Sequence, residues 1–237
     1  MRGFFAGFMQ MTVVTGLFLA NCVNIGVENV DEGWRITNAV AMIPPIVVVC
    51  GIFCVPESPR WLLQHKGKDA AEASLKKLRQ TENVSRELNH IVAQLEEEGD
   101  SVSYKDLLEP SILKRVIIAM LLQVLQQATG INPIFSYGGM IFKDVTGAGA
   151  TSVLLLSGIN FLSTIPAMRW VDTTGRRQLL LIGAVGMVFG HLLSAIVFTA
   201  GCDGNVDDSG CSKGAGYVIV LGSAFFVFNF AISWGPV

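Results

Sequence analysis

The fold is decided by residues 121–137, LLQVLQQATGINPIFSY. The stretch is apolar enough to sit in lipid, yet it carries Gln123, Gln126, Gln127 and Asn132. The three glutamines stand at i, i+3, i+4 and so share one helical face. Gly130 falls near the same stripe, where the missing side chain allows close approach to the backbone. Pro133 lacks an amide donor, clashes with the Thr129 carbonyl and disfavours the α region at Asn132, which predicts a helix break there. Backbone polar groups freed at membrane depth are tolerated only against protein or a wet cavity. A carboxamide carries donors and an acceptor without charge, which suits a neutral, polyhydroxylated ligand. The bland alternative is that the amides only join helices. It serves for one Gln and serves poorly for three on a stripe beside a break.

Composition agrees with a membrane setting. The 237 residues are 51% hydrophobic and 15% charged, where a soluble domain carries about 25% charged residues. No basic patch interleaved with aromatics points to nucleic acid. No HExxH, GxSxG, P-loop or CxxC pattern points to an enzyme, and no ligand cluster points to a metal or other cofactor. His65, His90 and His191 are scattered, and His191, inside an apolar stretch, is expected to pack against a neighbouring helix.

Six stretches lack Asp, Glu, Lys and Arg: 3–27, 36–56, 116–142, 145–168, 178–202 and 214–237. Each reaches the roughly 20 residues a spanning helix needs, so the predicted fold is all-α and polytopic. The first run is too long for a signal peptide core and is followed at once by another span, so it reads as a helix. Of the 17 basic residues, 14 fall at Arg2, in the 57–115 connection and in the 169–177 turn. Only Arg35, Lys143 and Lys213 fall on the other side. That asymmetry predicts a cytoplasmic N-terminus and a cytoplasmic 57–115 loop.

Within the loop, residues 68–80 and 85–98 space Ala71, Leu75, Leu78, Leu88, Ile91, Val92 and Leu95 as amphipathic helices do. Two or three short surface helices are therefore expected. Asn83-Val84-Ser85 fits a glycosylation acceptor but lies on the predicted cytoplasmic side. Cys22, Cys50 and Cys54 lie in spans as small apolar fillers. Cys202 and Cys211 flank an outer loop and are expected to form a disulfide staple.

Several stretches together resemble the sugar-porter family of the major facilitator superfamily. They are Pro56-Glu57-Ser58-Pro59-Arg60, Gln126-Gln127-Ala128-Thr129-Gly130-Ile131-Asn132, Asp172-Thr173-Thr174-Gly175-Arg176-Arg177 and Ser233-Trp234-Gly235-Pro236. Arg2-Gly3, Gln10 and Gly33-Trp34-Arg35 agree in order and spacing. The resemblance implies a twelve-helix fold in two lobes, with the six spans here corresponding to helices five to ten. On that reading 1–56 ends the first lobe, 57–115 is the cytoplasmic helical linker and 116–237 begins the second lobe. The remaining helices would be partners supplied by the same carrier.

The resemblance also implies roles. Gln10, Gln126, Gln127, Asn132 and Asn160 match sugar-contacting amides, and Phe230 and Gly235 fall where helix ten lines the cavity. Gln123 joins them by its place on the glutamine stripe. Phe135 and Tyr137 match an aromatic gate. Arg2, Glu57, Arg60, Asp172, Arg176 and Arg177 match a cytoplasmic latch that holds the lobes together. Three positions depart from the pattern: Pro133 stiffens the break, Ser136 stands where a gate tyrosine is usual, and Thr173 replaces an arginine.

Each net hydrogen bond contributes roughly 0.5–1.5 kcal/mol, so a few give millimolar binding of about 4 kcal/mol, weak enough for release. An anionic ligand would call for Lys or Arg inside a span, and the charge-free spans hold none. The expected function is carriage of neutral monosaccharides by alternating access, as a uniporter or proton symporter, in the plasma membrane. The alternatives are a non-transporting sugar sensor and an inactive truncated carrier.

Overall fold

The computed structural model of the chain describes residues 2–98, 107–202 and 212–236. Its described residues form ten α-helices. Two compact units divide them: residues 1–40 with 122–237, and residues 41–121. Helices α2 (Gly33–Ile52) and α6 (Pro110–Ala128) run through the division.

The first unit holds α1 (Arg2–Gly26), α7 (Ile131–Thr146), α8 (Gly149–Thr174), α9 (Arg176–Gly201) and α10 (Lys213–Ile232). Helix α1 lies along α8, and α10 packs on α9, α8 and α7. Phe18 of α1 stacks on Phe161 of α8 with ring centroids 5.5 Å apart. The core between α7, α8, α9 and α10 centres on Phe142, Leu156, Met187, Phe226 and Val227.

Small residues let α9 and α10 approach closely. A Cβ at Gly186 would overlap Asn229 Oδ1, and one at Gly190 would stand 2.9 Å from the Gly222 carbonyl. Ser194 Oγ donates to the Ile219 carbonyl across the same seam at 3.3 Å. Close packing of this kind drives helix association in lipid, where burying apolar surface gains little.

The second unit contains α3 (Pro59–His65), α4 (Lys68–Arg79) and α5 (Ser85–Glu98). The amphipathic spacing of residues 68–98 is realised here: Leu62, Ala71, Leu75, Val84 and Leu88 form a small core of their own. Ser74 Oγ caps the Glu57 carbonyl. Arg79 grips Glu87 with two hydrogen bonds, Nε to Oε2 at 2.9 Å and Nη2 to Oε1 at 2.6 Å. That grip holds the Glu87 carboxyl below its usual range. Lys76 reaches Glu82 at 3.1 Å and Glu72 at 3.2 Å, and hydrogen bonding to those carboxylates, Glu82 first, raises its pKa.

Among the described residues, six helical segments are long and apolar enough to cross a membrane, including Gly33–Ile52 and the combined Pro110–Asp144. Their number and order match the six charge-free stretches. Apolar side chains such as Val47, Val48 and Ile182 stand more than half exposed, as lipid-facing positions require.

The break in the third span is not where Pro133 predicts it. Helix α6 ends at Ala128, Gly130 takes φ +83°, and α7 starts at Ile131. Asn132 is helical, and Pro133 sits in the first turn of α7. A first-turn amide has no intrahelical acceptor, so proline loses nothing there. The glycine makes the break because the left-handed conformation costs other L-residues about 1–2 kcal/mol.

Candidate functional site

Helix α1 presents Gln10, Val13, Val14 and Leu17 at i, i+3, i+4, i+7, which is one continuous face. Opposite it stand the last turn of α6, the first turn of α7, the middle of α8 and the end of α10. The space between is a cavity of 160 Å³ lined by those four residues with Gln126, Gln127, Ile131, Asn132, Phe135, Asn160 and Phe230. Five carboxamides from four helices meet there. Among the described residues, no Asp, Glu, Lys, Arg or His lines it.

The amides are held by specific bonds. Gln126 Nε2 donates to the Trp234 carbonyl at 2.9 Å, tying α6 to the segment after α10. Asn132 Nδ2 donates to Gln127 Oε1 at 2.6 Å across the Gly130 turn. Thr129 Oγ1 donates to the Gln126 carbonyl at 2.7 Å. Asn160 is 3% exposed and its Oδ1 is buried without a hydrogen-bond partner. An orphaned buried acceptor costs about 1–3 kcal/mol. A ligand hydroxyl donating to it would recover that cost.

Eight residues carried the sequence-based expectation of a binding site. Gln10, Gln126, Gln127, Asn132, Asn160 and Phe230 line the cavity. Gly235 lies beside it, with a hypothetical Cβ 3.2 Å from Gln10 Nε2. Gln123 does not line it and is exposed. The cavity sits at the last turn of α6, so Gln123, one turn earlier, shares the face but not the depth.

Of the two expected gate residues, Phe135 lines the cavity, whereas Tyr137 is 62% exposed and lines none of the described cavities. The aliphatic wall of Val13, Val14, Leu17 and Ile131 went unnoticed in the sequence. Its signal was available, because three of the four follow Gln10 at helical spacing.

Of the latch set, Glu57 and Arg60 belong to the second unit, and Asp172, Arg176 and Arg177 to the first. The side chain of Arg2 lies outside the described residues. Cys202 is disulfide-bonded, and Cys211, its expected partner, also lies outside them. His191 stacks on Phe226 with ring centroids 4.1 Å apart, and its Nε2 is 3.2 Å from the Thr129 carbonyl. It is a packing residue, in a separate apolar groove with Leu125, Met187 and Trp234.

Residues 1–237 match the profile of the family described as "Sugar (and other) transporter". The chain belongs to this transporter family. The low-affinity glucose transporter HXT3 of Saccharomyces cerevisiae is 34% identical over 248 residues, covering 100% of this chain and 44% of that protein. The sugar transport protein MST4 of Oryza sativa subsp. japonica is 33% identical over 232 residues, covering 96% and 45%.

Among solved structures, the xylose transporter XylE from E. coli in a partially occluded inward-open conformation aligns with a TM-score of 0.78 at 27% identity. That alignment covers 99% of this chain and 50% of XylE. XylE bound to 6-bromo-6-deoxy-D-glucose, described as a major facilitator superfamily proton:xylose symporter, aligns with a TM-score of 0.71 at 27% identity, covering 99% and 48%. The all-α membrane architecture is thus that of the major facilitator superfamily. The chain spans about half the length of the relatives it matches.

Proposed function

We propose that this chain forms the amide-lined part of a transmembrane carrier of neutral monosaccharides working by alternating access. The observation that carries the reading is the meeting of Gln10, Gln126, Gln127, Asn132 and Asn160 on one cavity that no charged side chain lines among the described residues. Carboxamides match hydroxyls that donate and accept together. A desolvated site without cations disfavours phosphate esters and carboxylates. Glucose and xylose transporters among the similar proteins support the same ligand class.

In this reading 1–56 and 116–237 belong to opposite lobes, and 57–115 is a helical linker on the cytoplasmic face. Glu57, Arg60, Asp172, Arg176 and Arg177, with Arg2, latch the lobes on that face, and the latch opens when the site faces inward. Phe135 closes the cavity on the opposite side. The basic-residue asymmetry supports this orientation in the plasma membrane. No bond is made or broken; the work is binding weakly and exposing the ligand on alternate sides.

The test is uptake by the full chain as the cell makes it, reconstituted in liposomes. Saturable uptake of D-glucose or D-xylose, blocked by neutral hexoses and unaffected by glucose 6-phosphate, is expected. A reconstituted protein that binds and moves no neutral sugar contradicts the reading.

A further inference from the structure

A second cavity, of 390 Å³, adjoins the first and shares Phe135 with it. Three helices, α1, α7 and α8, contribute to both. On α1 the stripe that begins at Gln10 continues through Leu17 to Asn21, Asn24 and the turn at Glu28, again at intervals of three and four. On α7, Asn132 lines the first cavity, Phe135 both, and Ser136 and Lys143 the second. On α8, Asn160 serves the first, and Val153 and Ala150 the second. From Gln10 to Asn24 the α1 axis rises by about 21 Å, so the two chambers lie in file along one path.

The second chamber is built for hydrogen bonding. Asn21 spends its Nδ2 on the Leu17 carbonyl at 3.0 Å, which leaves its Oδ1 to accept. The side chains of Asn24, Ser136, Glu28 and Lys143 have no hydrogen-bond or ion-pair partner among the described residues. The two charged groups have opposite sign, so the chamber carries no net charge. Gly139, Gly149 and Ala150 line it as well, and Gly149 lets α8 pack directly on the Gly139 carbonyl of α7.

We propose that this chamber is a second, weaker station for the same neutral sugar, and that Phe135 is the partition crossed between the two stations. The proposal rests on the monosaccharide reading above and adds to it a site that does not need the glutamines of the first chamber. Asn21, Asn24 and Ser136 supply the uncharged contacts, and Glu28 and Lys143 accept from and donate to the rim hydroxyls. Phe135 presents its ring to both chambers, and an apolar face of that kind covers the C–H side of a pyranose as the sugar passes.

The experiment uses the full chain with Cys22, Cys50 and Cys54 replaced by serine and the Cys202 disulfide kept. Asn24→Cys reports on the outer chamber and Val13→Cys on the inner one. The purified protein is labelled with a polar methanethiosulfonate while D-glucose is titrated. Glucose is expected to slow labelling at both reporters by about fivefold or more. Adding Gln127→Ala, which spares the Gln126–Trp234 bond, is expected to raise the glucose concentration for half-protection at Val13→Cys by about fivefold or more. It is expected to shift half-protection at Asn24→Cys by less than about threefold.

Half-protection at Asn24→Cys that shifts with Gln127→Ala as far as that at Val13→Cys overturns the second station, because the outer effect would then only echo the inner site. An unreactive Asn24→Cys thiol overturns it too, since solutes would not reach the chamber. Protection at Val13→Cys alone removes the station and leaves the monosaccharide reading standing. Protection at neither reporter, with glucose or xylose, removes both.

Discussion

Gln126 and Trp234 are 108 residues apart in sequence, and the side-chain amide of one donates to the backbone carbonyl of the other at 2.9 Å. The bond closes α6 onto the irregular segment that follows α10, where a carbonyl has lost its helical partner. It also fixes the rotamer of an amide that lines the cavity. A bond between distant segments and a place on the cavity wall therefore meet in one side chain.

Gln126→Leu removes both roles. A hydrogen bond to the sugar is worth about 0.5–1.5 kcal/mol, so the half-saturation concentration should rise about 2- to 12-fold for each one removed. Thermal stability in detergent should fall as well, because the Trp234 carbonyl loses its donor. Uptake kinetics and a melting curve on the same preparation check the pair of effects. An unchanged half-saturation concentration would count against Gln126 as a ligand.

Asn160→Leu should separate the two quantities. The buried Oδ1 has no partner in the empty cavity, so an apolar replacement of similar size removes an orphaned acceptor. Stability without sugar should hold or rise, by up to about 1–3 kcal/mol. Sugar binding should weaken at least several-fold. Stability held against function is the signature of a binding group rather than a packing group. A variant that loses stability and keeps binding contradicts this assignment.

Gly186→Ala should damage the fold without touching the cavity. Its new methyl would overlap Asn229 Oδ1, and overpacking of this kind costs about 1–3 kcal/mol. The Gly186→Ala, Asn229→Ala double variant should recover much of the loss, because neighbouring sites are not additive. Unfolding midpoints of the two single variants and the double variant measure the coupling.

Acid should loosen the second unit. Glu87 is held below the usual carboxylate range by Arg79. A depressed folded-state pKa contributes stability above the unfolded value, about 4.3, and loses it as pH falls through the depressed one. Hydrogen-exchange protection of α4 and α5, corrected for intrinsic rates, should be level from about pH 5 to 8 and decline below about pH 4. Glu87→Gln should lower the plateau and flatten the decline. Both side chains are substantially exposed, so moderate salt should shrink the effect as well.

Much of this was local and therefore legible in the chain. Span number and order follow from the lengths of charge-free stretches, since a bilayer demands a minimum apolar run. Helices α4 and α5 follow from the spacing of Ala71, Leu75 and Leu88. The amide set follows from residue chemistry and family resemblance, and five of its six members line one cavity. Gln123 shares their face without lining the cavity, because a helical face says which way a side chain points and not how deep the cavity reaches. The break was misplaced because Pro133 is costly inside a helix but harmless in its first turn, and the first turn exists only because Gly130 ends α6.

The sequence by itself determined that this protein is a bundle of membrane helices carrying uncharged hydrogen-bonding side chains, because length, charge and periodicity are properties of short windows. Only the tertiary structure decided which of those side chains share a cavity. It also decided that α9 and α10 touch backbone to backbone, and that Phe135 borders two chambers. Such relations depend on which helices lie side by side. That choice is made by packing between residues far apart in the chain, which no single stretch contains.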